Sequence, residues 1–161
     1  MEVFIMISAQ TIHNIAVEME RKGIDFYQQL KDGSNDTIID DIIGDEKEHI
    51  QIFHDLFNDT TGVRKEESYP HFYMDEDMLI EAYANTEIFG SVDPGRTKGK
   101  SSYDVAVMME KESILFYSQL QDMFGDDPGY KKEIEILDKL KKEEARHLKK
   151  FTELRNRMGD V

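Results

Sequence analysis

The chain has 161 residues, 34 acidic against 20 basic, giving a net charge of −14, and it contains no cysteine. The acidic surplus argues against a basic face for nucleic acid or an anionic membrane, and the missing thiols exclude disulfides, thiolate zinc and iron–sulfur or rubredoxin-type centres in this chain. No apolar run approaches the ~20 residues that span a bilayer, and Met1 to Ile7 has neither a basic n-region nor a cleavage site, so one cytoplasmic domain over residues 1–161 is expected.

Ser8 can cap a first helix over roughly 9–31, with Ile12, Ala16, Met19, Gly23, Phe26 and Leu30 as its apolar seam. Glu20 lies four residues after Ala16, about 40° round the helix, and so borders that seam. Tyr27 falls about 20° from Glu20 on the same side. A short turn from Lys31 to Asn35 makes the next helix, roughly 36–58, an antiparallel neighbour. Its seam runs Ile39, Ile42, Glu46, His49, Phe53 and Leu56 in steps of three and four. A carboxylate and an imidazole therefore stand a turn apart within an apolar stripe.

Residues 59–101 break this rhythm. Tyr69-Pro70 and Asp93-Pro94-Gly95 are turn signals, and Arg96 to Lys100 reads as a mobile basic loop. Between them Asp75 can cap a short helix that offers Met78, Leu79, Ala82, Tyr83 and Phe89 for packing. A connection this long can run the length of a bundle, so that the following helix lies parallel to the second.

That third helix, roughly 102–124, opens on Ser101 with Asp104 three residues later, the spacing of a capping box. It copies the first: Ile15–Leu30 and Val105–Leu120 align without gaps at an offset of 90, with nine of sixteen positions identical. Glu20 thereby matches Glu110, and Tyr27 matches Tyr117. Asp127 and Pro128 open a fourth helix, roughly 128–157. It copies the second at an offset of 98, with Leu137, Leu140, Glu144, His147, Phe151 and Leu154 in the seam. The chain is a duplicated helix pair joined by its midsection. The expected fold is all-α, a ferritin-like antiparallel four-helix bundle with one long crossover, containing a short helix, between helices 2 and 3.

The polar seam residues are Glu20, Glu46, His49, Glu110, Glu144 and His147. Burying them is costly unless something in the core satisfies them. One Glu from each of two helices plus Glu-x-x-His from each of the other two is the ligand pattern of dinuclear carboxylate centres in such bundles. Carboxylates can bridge two cations and neutralise them, while imidazole gives each ion a nitrogen ligand, a set that suits iron or manganese. Other candidates read more plainly. His13 lies two turns before Glu20 and fits a cap-region or network residue, whereas His54 and His71 fit solvent or packing roles. Glu18, Glu48, Glu112 and Glu143 point away from the seam and read as a solvated face. Met19, Met108 and Met109 are core filler.

On these ligand positions, and on Ala106 to Tyr117 and Glu46 to Ile50, the chain resembles the rubrerythrin branch of the ferritin-like superfamily over nearly its whole length. The resemblance implies two iron ions, with manganese or a mixed pair as the alternative. Glu46 and Glu144 would bridge them, and Glu20, His49, Glu110 and His147 would be terminal ligands. Tyr27 and Tyr117 would donate hydrogen bonds that orient ligand carboxylates. No catalytic residue beyond the ligands is implied. The activity implied is reduction of peroxide or dioxygen in oxidative stress, by a homodimer drawing electrons from an external donor protein. Two features depart from the family. Ser113 stands where rubrerythrins carry a further ligand Glu one turn after the third-helix Glu, and no cysteine-ligated rubredoxin domain is present in the chain. A metal-buffering, delivery or sensing protein without turnover is the rival reading. A ferritin cage is less expected, because only Gly159 to Val161 follow the fourth helix where cages generally have a further short helix.

Overall fold

A computed structural model of the chain describes residues 4–7, 9–34, 36–57, 72–75 and 98–159. The helical periodicity is realised in four helices among these residues. They are α1 (Ala9–Asp32), α2 (Ile38–Phe57), α3 (Ser102–Phe124) and α4 (Lys131–Gly159). Together they form an all-α, ferritin-like four-helix bundle. Ser8, the turn signals at Tyr69-Pro70 and Asp93-Pro94-Gly95, and the expected short crossover helix lie outside the described residues.

Local chemistry accounts for the ends. Ser101 and Asp104 make a complete capping box at the start of α3: the Ser101 hydroxyl accepts from the Asp104 N–H at 3.1 Å, and Asp104 accepts from the Ser101 N–H at 3.0 Å. Gly125 ends α3 with a positive φ of 61°, its N–H reaching the carbonyls of Gln121 and Asp122. The start of α4 differs from the sequence expectation. Asp127 and Pro128 open a 3₁₀ turn, Pro128–Tyr130, in which the Asp127 carboxylate accepts from the Gly129 N–H at 2.8 Å. The α-helix proper begins only at Lys131, because the aspartate closes this tighter turn first.

A two-stranded ribbon was not anticipated. β1 (Phe4–Ile7) pairs antiparallel with β2 (Phe72–Asp75), with Phe4 opposite Asp75 and Ile7 opposite Phe72. Phe, Ile and Tyr favour extended backbone, and the ribbon ties the start of the chain to the crossover. Asp75 thus ends a strand.

Within the bundle, α1 packs chiefly on α2 and α3 on α4, with lighter contacts between α2 and α4 and between α1 and α3. Tyr103, at the start of α3, reaches Ser34 in the α1–α2 turn, with oxygen atoms 3.5 Å apart. Arg155, near the end of α4, lies 3.5 Å from Asp104. Both α2 and α3 therefore start at the same end of the bundle and run parallel, as the long crossover permits. The seams of α2 and α4 are buried at every expected position: Ile39, Ile42, Phe53 and Leu56 on one, Leu137, Leu140, Phe151 and Leu154 on the other. Each such side chain contributes about 1.5–3 kcal/mol on burial, and together they clamp the polar residues between apolar layers. On α1 the expected seam is buried at Ile12, Ala16, Met19 and Gly23, and the buried face departs from it only toward the helix end. Tyr27 is buried against Phe151, with ring centroids 4.8 Å apart, while Phe26 and Leu30 are only partly covered. No helix among the described residues is long and apolar enough to cross a membrane.

Candidate metal centre

The periodicity that places Glu46 and His49 on one face of α2, and Glu144 and His147 on one face of α4, turns both pairs into the bundle axis. Glu20 from α1 and Glu110 from α3 join them. All six are at most 3 % exposed. Their donor atoms form two groups, Glu20–Glu46–His49–Glu144 and Glu46–Glu110–Glu144–His147, each with ligand atoms within 4.8 Å of one another. Glu46 and Glu144 belong to both groups.

The sharing holds at the level of single oxygens. His49 Nδ1 lies 3.2 Å from Glu46 Oε2 and 3.1 Å from Glu144 Oε1. His147 Nδ1 lies 3.2 Å from Glu46 Oε1 and 3.1 Å from Glu144 Oε2. Each of these carboxylates thus offers one oxygen to each side. Glu20 Oε2 is 3.7 Å from His49 Nδ1, and Glu110 Oε2 is 3.8 Å from His147 Nδ1, completing a nearly two-fold arrangement. The imidazoles stack with centroids 6.0 Å apart.

Electrostatics follow from burial and crowding. Burial raises the pKa of Glu20 well above the usual carboxyl range, and repulsion from Glu46 adds to it. Glu110 is raised by burial and by Glu144 in the same way. Burial alone would also raise Glu46, but hydrogen bonds involving Glu20, His147 and His49 outweigh it and hold Glu46 below its ordinary value. Burial alone would lower both histidines. The neighbouring carboxylates of Glu144, Glu20 and Glu46 raise His49 well above its ordinary value instead, and those of Glu110, Glu144 and Glu46 do the same for His147. The raised carboxyls and imidazoles favour protons on the cluster in the metal-free protein, offsetting carboxylate charge that two divalent cations could also offset.

The outer nitrogen of each imidazole is held by the other half of the duplication. His49 Nε2 lies 2.9 Å from Glu143 Oε2 on α4, and His147 Nε2 lies 3.0 Å from Asp45 Oδ2 on α2. A carboxylate held at Nε2 keeps Nδ1 facing the cluster, where its lone pair becomes available to a metal once the proton there is displaced. Glu143, 24 % exposed along its side chain, is thus a partner of His49 and not part of a solvated face. Asp45, half-buried and bonded also to Arg146 at 2.7 Å, was missed in the sequence. Its signal is the acid that directly precedes the Glu of Glu-x-x-His in both copies.

The two tyrosines behave differently. The Tyr27 hydroxyl donates to Glu110 Oε1 at 2.6 Å across the two halves. Burial, then the charges of Glu110 and Glu46, raise its pKa, so it stays a donor. The Tyr117 hydroxyl is equally buried and makes no hydrogen bond among the described residues. Ser113 is buried one turn after Glu110. Glu18 and Glu48 are exposed and Glu112 half-buried; Met19 and Met109 are core residues, Met108 half-buried. His13 is buried and, as a network residue, lies 2.9 Å from His54 through their ring nitrogens, giving His54 a partner the sequence had not indicated. His71 lies outside the described residues.

The residues present fit a metal pair. Glu20 Oε1, His49 Nδ1 and Glu144 Oε1 are buried without a hydrogen bond, although His49 Nδ1 has carboxylate oxygens at ion-pair distance. Atoms that converge without proper hydrogen-bond geometry suit a cation between them better than one another. The family model for rubrerythrin matches residues 12–155, which includes all six cluster residues.

The chain belongs to the rubrerythrin family.

Rubrerythrins are a ferritin-like di-iron family, in keeping with the carboxylate and imidazole groups found here. The match to rubrerythrin takes in both halves of the duplication and indicates no rubredoxin domain. No curated protein and no solved structure matches the chain.

Proposed function

We propose that this rubrerythrin-family chain is a dinuclear non-haem metal oxidoreductase that reduces peroxide or dioxygen with electrons from an external donor protein. The observation that carries the reading is the sharing of Glu46 and Glu144 between two ligand groups, each completed by one His and one further Glu. In this reading Glu46 and Glu144 would be shared by both ions, and Glu20 with His49 and Glu110 with His147 would hold one ion each. Tyr27 fixes the orientation of Glu110, and Glu143 and Asp45 fix the two imidazoles. Bound as a pair, redox-active ions, iron in our reading with manganese or a mixed pair as alternatives, supply one-electron steps that the side chains cannot. Peroxide reduction consumes two electrons and two protons, breaks the O–O bond and yields two waters. The electrons come from an external donor protein in this reading. A cytoplasmic homodimer acting in oxidative stress is the setting we propose.

The test is to load the protein with Fe(II) without air, add a chemical reductant, and follow peroxide and dioxygen consumption over many turnovers. Sustained consumption that Glu46→Leu with Glu144→Leu abolishes supports the enzyme. Two-ion uptake with no turnover supports the second reading, a metal-buffering or sensing protein. Ser113 favours that alternative, because serine cannot supply the further carboxylate that the family resemblance puts at this position. Ser113→Glu separates the two, since turnover gained by that variant alone assigns the difference to the missing carboxylate.

A further inference from the structure

A cavity of about 550 Å³ lies between α2 and α4, and its lining includes His147, one of the six cluster residues. Asp45 links its wall to that imidazole, accepting from His147 Nε2 at 3.0 Å while remaining half-exposed. Asp40, Asp41, Asp45 and Glu48 line it against Arg146 and Lys150, with Lys31 paired to Asp40 and Arg146 to Asp45, which leaves one more carboxylate than cationic groups. We propose that this cavity is the route by which aqueous divalent cations reach the centre, and that Gly44 keeps it open. The proposal rests on the metal-centre reading above.

Gly44 lines the cavity in the middle of α2. A helix-interior glycine is a conformational liability, and neither usual reason for one applies here. Its φ is not positive, and an added Cβ would meet nothing within 4 Å. What the glycine leaves, at an exposed position, is open space on the wall of the cavity that His147 also lines. The internal duplication supplies the comparison. At the offset of 98, Lys142 stands where Gly44 does, and Lys139 where Asp41 does. Lys142 is 79 % exposed along its side chain and lies 3.2 Å from Asp138; Lys139 lies 3.7 Å from Glu143, the partner of His49. The mirror face therefore carries two ammonium groups where this face has a gap and a carboxylate. A cation approaching His49 from outside meets two ammonium groups, each paired with a carboxylate, whereas one approaching His147 meets a cleft with a small acidic excess, which concentrates cations.

A route differs from a ligand in its kinetic signature. Blocking it slows arrival and departure by the same factor and leaves the equilibrium constant unchanged, because the bound state is the same. The experiment uses the metal-free chain and Co²⁺, followed by its ligand-field absorbance in a rapid-mixing instrument, with release driven by excess chelator. Gly44→Gln fills the gap without adding charge, and Gly44→Ala adds only the Cβ for which there is room. Gly44→Gln is expected to slow uptake and release by the same factor, with Kd unchanged. Gly44→Ala is expected to keep wild-type rates. The port is overturned if Gly44→Gln takes up two ions at the wild-type rate, if its slowing appears wholly as weaker affinity, or if Gly44→Ala slows uptake equally. Absence of Co²⁺ uptake by the wild type overturns the metal centre and the port together, so the two failures are distinguishable.

Discussion

The Tyr27 hydroxyl donates to Glu110 at 2.6 Å, while the equivalent bond in the other half, from Tyr117, is not made. A duplicated sequence thus yields unequal tyrosines, and their replacements should differ. Tyr27→Phe removes a buried bond to a carboxyl group and should destabilise the metal-free protein by about 1–3 kcal/mol. Tyr117→Phe removes a buried hydroxyl without a partner and should be neutral or stabilising, within about 1 kcal/mol. Denaturant melts of the metal-free variants measure both, and equal losses would contradict the asymmetry.

Glu143 and Asp45 should tune metal affinity from outside the ligand set. Loss of a carboxylate that orients a ligand histidine typically costs about 10–100-fold in affinity. Glu143→Gln and Asp45→Asn should each weaken metal binding by about that range, with two ions still bound at saturation. Unchanged affinity in competition with a chelator of known strength would leave both acids as surface ion pairs.

Glu46 and Glu144 should be indispensable for metal and dispensable for folding. The wild type is expected to bind two ions per chain with similar affinity, and metal should raise its melting temperature by mass action. Glu46→Leu with Glu144→Leu should bind none, yet be at least as stable as the metal-free wild type, because leucine continues the apolar seam and relieves buried charge. A double variant that is much less stable, in a protein whose melt metal does not raise, would reassign the pair to a structural polar network.

The pH dependence of the metal-free protein has a definite sign. His49 and His147 have folded pKa values raised above the ordinary 6.5, so their stabilising contribution is full below that pH and is lost as pH rises toward the folded values. Glu20 and Glu110 are raised above 4.5, and their contribution is likewise lost as pH climbs from there. Glu46 is depressed and acts oppositely, but its contribution is lost only as pH falls below 4.5. From about pH 5 to 8 the metal-free protein should therefore lose stability as pH rises. Stabilisation by Mn²⁺ should grow over the same range, since metal displaces roughly two to four protons. A metal-free melting temperature that climbs with pH would show that the cluster does not hold its protons.

The sequence by itself determined the helices, the duplication and the six cluster residues. Helical periodicity is local, and a Glu-x-x-His in phase with Ile39, Ile42, Phe53 and Leu56 must face inward if they do. Repetition at Leu137 to Leu154 and the matched Glu20 and Glu110 then brought six polar groups to one axis. The strand ribbon escaped this reading because Phe4–Ile7 and Phe72–Asp75 are four residues each and meet only through a distant pairing. Tertiary structure alone decided how the two halves mesh. Glu143 sits next to Glu144, about 100° round its own helix, and from α4 alone it points outward; only the presence of α2 turns that direction toward His49. Asp45 meets His147 for the same reason, and Tyr27 finds Glu110 where Tyr117 finds no partner. Periodicity sets which face of a helix is buried, whereas the relative shift and rotation of neighbouring helices set which atoms touch, and those are products of packing the whole core.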